Sequence, residues 1–358
     1  HEVITCGPSS GRPQDIPSGP DTSILDIWER SPGEKPELII WAESIPRFLP
    51  GDIECAPVPT VFYASDAYLG RIWQPNFARY FDYTFVTGKY DLEPYLQVGC
   101  TNVEWMQAAC EPEIHKEHDV EQIYDLCFLG TYNPVIYPDR GRYIERIKRL
   151  VRNKGLKVFI GNGYYGENMA KLFSQSKIIF NGTFRSTNFK PNFNMRIYEA
   201  MSCNRLLLTD RFAGGDLKEV FEDRKHLVFY DDDNFEDLVL YYLEHAEERN
   251  RIARQGRDEV RTKHTYEHRM EQLLTTVAKG RKVPPVKQEI LTTGRNAAYY
   301  HDYGVAAYCQ SIYTTAAANF IEAIKIDENN ALYWHDLGVA QAMAGNGTEA
   351  LEALGQAI

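Results

Sequence analysis

Four short apolar runs, KVFIGNG, KIIFNGT, RLLLTD and LVFYDD, recur between Lys157 and Asp232, each ending in small or polar residues. Helix-length segments separate them: GENMAKLFSQS, MRIYEAMSCN and LKEVFEDRK, with a long helix expected from about Phe235. Buried strands of a parallel sheet read as near-continuous apolar runs joined by crossovers, so this stretch predicts an α/β fold. The run YDLCFLGTYNP supplies a further strand ahead of it. The segment Asp139 to Asn153 then sets Tyr143, Ile144, Ile147, Leu150 and Val151 on one helical face. Asp233 followed by Glu236 resembles a capping box. The first 118 residues repeat the pattern more weakly, with strands expected in HEVITCG, PELIIWAES, PTVFYASD and YTFVTG. YLGRIWQPNFARYF reads as helix or irregular connection. A charged stretch, Glu111 to Gln122, looks like a crossing between the halves. Because the chain enters directly in a strand, the first domain is expected to be incomplete at its N-terminus.

Composition narrows the function classes. The 358 residues are 44% hydrophobic and 25% charged, the balance of a chain that buries a core. No run of about 18 apolar residues suggests a membrane span, and the start lacks the basic-then-apolar order of a secretory signal. A net charge of −11 disfavours nucleic-acid partners, which require a basic face. The seven cysteines are scattered, without paired CxxC spacing, and read as reduced groups of a cytoplasmic protein.

Past residue 296 the spacing changes. YYHDYGVA (Tyr299 to Ala306) returns as YWHDLGVA (Tyr333 to Ala340), 34 residues later, and Ala316/Ala350 and Ala323/Ala357 keep that offset. This is the period of tetratricopeptide repeats, whose W-x2-L-G pattern is similar to Trp334, Leu337 and Gly338. Gln341 departs from that family's aromatic position. Two repeats are visible and stable arrays need about three, so continuation beyond Ile358 is expected. Residues 296–358 hold seven acids against Lys325 alone, so more than half the net charge sits there, and the repeats could recruit a protein partner.

The segment NFNMRIYEAMSCNRLLLTD carries the most chemistry. A helix starting at Asn194 and Met195 would present unpaired amides to a phosphate. Arg196 could fork onto phosphate oxygens, and Glu199, one turn further, could accept both hydroxyls of a ribose. The same spacing also describes an ordinary i,i+3 ion pair. Gly130 and Thr131 end a strand where an open sheet places its ligand crevice, or simply form a tight turn. Gly214 and Gly215 are expected in a loop ahead of LKEVF, facing phosphates or sugar, or merely entering the helix. Lys190 is a further phosphate candidate. The run Arg140 to Lys157 holds eight cations and reads mainly as a solvated face. Asp66, emerging from the apolar strand in YASDAYLG beside Ser65, could serve as a catalytic base or cap a helix at Ala67. No Asp-x-Asp signature is read at a strand end, which predicts metal independence.

NFNMRIYEAMSCNRLLLTDRFAGGDLKEVF, together with HLVFYDDDNFEDLVLYYLEHAEERNRIARQGRDEVRTKHTYEHRM, resembles the C-terminal half of GT-B glycosyltransferases, closest to the CgeB-like (spore maturation protein) branch. PTVFYASDAYLG and VEWMQAACEPEIH are similar to the matching N-terminal half. The resemblance implies two Rossmann-like domains, an acceptor-side domain at 1–118 and a nucleotide-sugar-binding domain at 119–285, with the repeats at 286–358. It also implies transfer of a sugar from a nucleoside-diphosphate-sugar donor to a hydroxyl acceptor on a protein or glycan, with no other cofactor. Glu199 would hold the ribose. Many retaining relatives carry an acid eight positions earlier, where this chain has Pro191. A non-catalytic scaffold acting through the repeats, or a nucleotide-sugar isomerase or hydrolase of the same fold, are the alternatives.

Overall fold

The computed structural model describes residues 2–8, 13–42, 48–67, 69–133, 137–182, 194–211, 214–280 and 282–358, with backbone only at 214–216. It divides into two compact units. The first joins His1–Trp105 to Val277–Ile358, and the second is Met106–Thr276. Among the described helices none is long and apolar enough to cross a membrane.

In the first unit a two-residue parallel pair, β1 (Cys6–Gly7) and β2 (Ile16–Pro17), replaces the longer strand expected in HEVITCG. The main sheet runs β3 (Ile39–Ala42), β4 (Thr60–Ala64), β5 (Tyr83–Val86) and β6 (Val103–Trp105), all parallel and in sequence order. Trp41 and Phe62 pack at 4.8 Å between ring centroids, and Trp73, Phe77 and Phe81 complete the aromatic core beside them. The connection after β4 becomes a short helix, Gln74–Ala78.

The helices following residue 285 belong to this same unit, so packing places the unit boundaries at 105/106 and 276/277 where 118/119 and 285/286 were expected. Charge pairs across long sequence separations explain the union. Lys287 Nζ lies 3.0 Å from Asp82 Oδ2, with both side chains buried, and Arg295 reaches Glu54 Oε1 at 2.7 Å. Asp302 accepts from the Tyr80 hydroxyl at 2.8 Å and pairs with Arg79. Four helices follow, Ala297–Cys309, Tyr313–Ile326, Ala331–Ala344 and Gly347–Gln356, each packed on the next. The 34-residue offset has a steric counterpart. A Cβ on Gly304 would stand 2.5 Å from Phe320, and one on Gly338 would stand 2.6 Å from Leu354, the equivalent position in the next pair. Glycine there lets paired helices approach closely.

The second unit is built on β7 (Tyr124–Leu129), β8 (Val158–Gly161), β9 (Ser176–Asn181), β10 (Leu206–Asp210) and β11 (Val228–Tyr230). The order across the sheet is β11-β10-β9-β7-β8, all parallel. Chain direction across the sheet therefore reverses at β7: β8 lies on one side of it, and β9 to β11 extend on the other. Alternate strand residues Leu126, Phe128, Ile178, Phe180, Leu206, Leu208, Val228 and Tyr230 form one core. It packs on Tyr143, Ile144, Ile147 and Leu150 of the helix Pro138–Lys154 and on Phe235, Leu238, Val239 and Tyr242. Val151, expected on that helical face, is exposed: it lies about 100° round the helix from Leu150, beyond the edge of the buried stripe.

Two local expectations fail. Asn234, not Asp233, is the N-cap of the helix Phe235–Glu244, and Glu236 is drawn away to a two-pronged pair with Arg146. The helix expected to run on from Phe235 breaks at His245 before Ala246–Lys263 begins.

Candidate functional site

Strand order decides where this sheet can hold a ligand. Loops leaving neighbouring strands in opposite directions open a crevice at their carboxyl ends, and in a 2-1-3-4-5 order that point lies between the first and third strands. Here those are β7 and β9. A cavity of about 200 Å³ occupies the position, lined by Phe128, Leu129 and Gly130 from β7, Asn181 and Gly182 from β9, and Asn194, Met195, Arg196 and Glu199 from the next helix, with Arg140 and Tyr165. The volume is smaller than the ~300–1,000 Å³ of pockets that enclose a drug-sized ligand, so it seats part of one.

The helix Met195–Ser202 buries Ile197, Tyr198, Ala200 and Met201 and packs on Ala246–Lys263 and β10. Its N-cap, Asn194, is extended and makes no side-chain capping bond; its amide instead donates to Asn181 Oδ1 at 3.2 Å. The helix start therefore keeps its amide donors beside the cavity.

Glu199 is 9% exposed. Arg196 lies 3.3 Å from its Oε2, and His115 Nε2 lies 3.6 Å from its Oε1. Burial raises the Glu199 pKa, while Arg196 pulls it the other way. The i,i+3 pair anticipated from spacing is thus formed, and both partners line the cavity. Burial, with help from Arg196, lowers the His115 pKa and favours its neutral form. Arg196 also contacts the Met169 sulfur.

Arg140 spans the two strand ends. Its guanidinium donates to the Thr131 carbonyl at 2.8 Å and the Gly182 carbonyl at 3.0 Å, and it stacks over Tyr137 at 4.4 Å. It thereby ties the loop after β7 to the loop after β9. Two guanidiniums and the helix amides face a single carboxylate, an excess of positive character suited to phosphate oxygens.

Of the residues singled out from sequence, Gly130, Asn194, Met195, Arg196 and Glu199 meet at this cavity. Thr131 is exposed and contributes its carbonyl to Arg140, outside the lining. Gly214 and Gly215 open the helix Gly214–Val220, which begins three residues earlier than expected, and neither is in the described lining. Lys190, with Pro191, lies outside the described residues. Asp66 belongs to the first unit. It is exposed, desolvation raises its pKa, and Ala67 lies with it in a turn and does not start a helix.

Sequence reasoning missed Asn181, Gly182 and Tyr165, and read Arg140 mainly as surface. Asn181 and Gly182 end an apolar strand just as Gly130 does, so the same argument was open there. Contrary to expectation, an Asp-x-Asp triplet does follow a strand: Asp231–Asp233 after β11. Asp231 accepts from the Asp233 and Asn234 amides and faces Arg211, and Asp232 pairs with Arg142 and Tyr143. Among the described residues no group of three or more His, Cys, Asp or Glu is placed to hold a metal.

Two larger cavities, about 490 and 450 Å³, lie in the first unit. Several of their charged groups are already paired: Asp52 with Arg295, Asp302 with Arg79, and Asp336 with His301 and His335. Size alone does not make either the better candidate.

Residues 137–275 match a family model described as glycosyl transferase-like, a span that contains most of the cavity lining. The matched span lies within the second unit. No curated protein matches the chain. Among solved structures, Anabaena HepE in complex with UDP-glucose is 13% identical, with a TM-score of 0.46, over 62% of this chain and 73% of that one. A TarM variant of S. aureus in complex with fondaparinux, α-GlcNAc-glycerol and UDP is 13% identical with a TM-score of 0.45, over 61% of this chain and 50% of that one. An α-glucosyltransferase in complex with UDP and DNA is 10% identical with a TM-score of 0.49, over 68% of this chain and 80% of that one. Likenesses this distant assign no residue or substrate.

Proposed function

We propose that the protein is a GT-B glycosyltransferase of the CgeB-like branch that moves a sugar from a nucleoside-diphosphate-sugar donor to a hydroxyl acceptor on a protein or glycan. The observation that carries the reading is the cavity at the β7/β9 reversal, where a buried carboxylate, two arginines and a helix entrance converge. Glu199 accepts the ribose hydroxyls. Arg196 and the amides after Asn194 hold the diphosphate, with Gly130 allowing close backbone approach; Thr131, Lys190, Gly214 and Gly215 are assigned to the same donor. In the transfer the acceptor oxygen bonds to the anomeric carbon as the bond to the diphosphate breaks. Arg196 neutralises the departing charge, and in an inverting reaction Asp66 takes the acceptor proton. The first unit serves the acceptor, and its 34-residue helical pairs act as tetratricopeptide repeats that recruit a protein partner. The cysteine pattern fits a cytoplasmic location.

Calorimetry with UDP, GDP and ADP tests the donor site. One of them is expected to bind the parent, and Glu199→Ala to weaken that binding at least about tenfold, the loss of one or two hydrogen bonds to a charged acceptor. No binding by the parent would leave the scaffold alternative, and sugar release without an acceptor would indicate hydrolysis. Because the positive groups at the cavity are protein groups, turnover is expected to be unchanged in excess EDTA. A loss restored by magnesium would overturn that point.

A further inference from the structure

His115 lies 7% exposed beside Glu199. Its surroundings fix it at three points. The Glu111 amide donates to Nδ1 at 3.0 Å, and the His115 amide donates back to the Glu111 carbonyl at 2.7 Å. The His115 carbonyl accepts from the Ser202 hydroxyl, on the same helix as Glu199. A neutral imidazole whose Nδ1 accepts must carry its proton on Nε2, which is the nitrogen 3.6 Å from Glu199 Oε1. That separation exceeds a hydrogen bond, so the contact is an N–H dipole beside a carboxylate.

We infer that His115 is a positioning residue for sugar-nucleotide binding, its Nε2–H fixing one oxygen of Glu199 so that the carboxylate presents its remaining lone pairs to the ribose hydroxyls. The inference rests on the donor-site reading above. His115 is not in the cavity lining, so it reaches a ligand only through Glu199. Arg196 approaches Oε2 and His115 approaches Oε1, which leaves the carboxylate held from two sides. Burial disfavours the charged form that a two-hydroxyl acceptor requires, and Arg196 opposes that tendency.

The test uses the whole chain and three kinds of probe: UDP, GDP and ADP; their 2′-deoxy counterparts; and inorganic pyrophosphate, which has no ribose. His115→Phe keeps the ring volume without the donor, and His115→Gln returns an N–H near the Nε2 position. For the diphosphate that binds the parent, His115→Phe is expected to weaken affinity about tenfold and to shrink the ribo-over-deoxy preference about fivefold or more, with pyrophosphate affinity within about twofold. His115→Gln should restore most of the preference, and His115→Phe should add nothing further in a Glu199→Ala background. An unchanged ribo-over-deoxy preference in His115→Phe, an equal loss for pyrophosphate, or failure of His115→Gln to restore the preference would each overturn the inference. If the parent discriminates by ribose through Glu199 while His115→Phe behaves as the parent, the donor site stands and only this assignment falls. If the parent binds none of the diphosphates, both fall.

Discussion

Lys287→Met is expected to destabilise the first unit by about 3–5 kcal/mol, the usual consequence of stripping one partner from a buried ion pair. Lys287 is 2% and Asp82 1% exposed, and the ammonium reaches Asp82 Oδ2 at 3.0 Å and Thr60 Oγ1 at 3.4 Å. Asp82 is itself held by the Thr60 amide at 2.9 Å, at the base of β4, so it cannot swing out to water when the lysine is gone. The carboxylate would remain in a low-dielectric site with its charge uncompensated. Asp82→Asn combined with Lys287→Met removes the charge as well as its partner and should recover a large part of the loss. Urea unfolding of parent, single and double variants measures both steps. A single variant within about 1 kcal/mol of the parent would mean that this pair does not anchor the C-terminal helices.

The same contact shows what could be read from the chain and what could not. Strands β9 to β11 and most of β7 were legible because they are buried and therefore written as apolar runs, and the edge strand β8, only half-buried, still carries the run VFIG. Strand β6 escaped, since it is a half-buried three-residue edge with Glu104 at its centre. The helix entrance at Asn194 and the Arg196–Glu199 spacing are local and could be read directly. Arg140 and His115 could not, because the first depends on which strands are neighbours and the second on which turn packs against the Met195–Ser202 helix. Arg140 looks like one cation among eight until β7 and β9 stand side by side and their terminal carbonyls converge on it. The union of the C-terminal helices with the first sheet depends on partners some 205 residues apart, beyond the reach of any spacing rule.

Gly256→Ala is expected to cost about 2 kcal/mol net in the second unit and to weaken nucleotide binding with it. In an exposed helix this change would stabilise by about 1 kcal/mol, since glycine is the poorer helix former. Here the outcome is set by packing. A Cβ at Gly256, in the middle of Ala246–Lys263, would sit well inside contact distance of the His226 carbonyl oxygen and 3.1 Å from Met201 Cε. The methionine can rotate, but the carbonyl is backbone just before β11 and has nowhere to go, so the helix must lift. Overpacking of that kind costs about 3 kcal/mol at the upper end of its usual range, more than the propensity gain returns. The lift also reaches the cavity, because this helix packs on Met195–Ser202 and Met201 stands two residues beyond Glu199. Urea unfolding and diphosphate calorimetry on the same variant separate the two effects. If stability falls while affinity holds, the site is carried by β7 and β9 without the support of the helix behind it. If stability rises, the helix has slid along its neighbour and the close approach at Gly256 is not required by the fold.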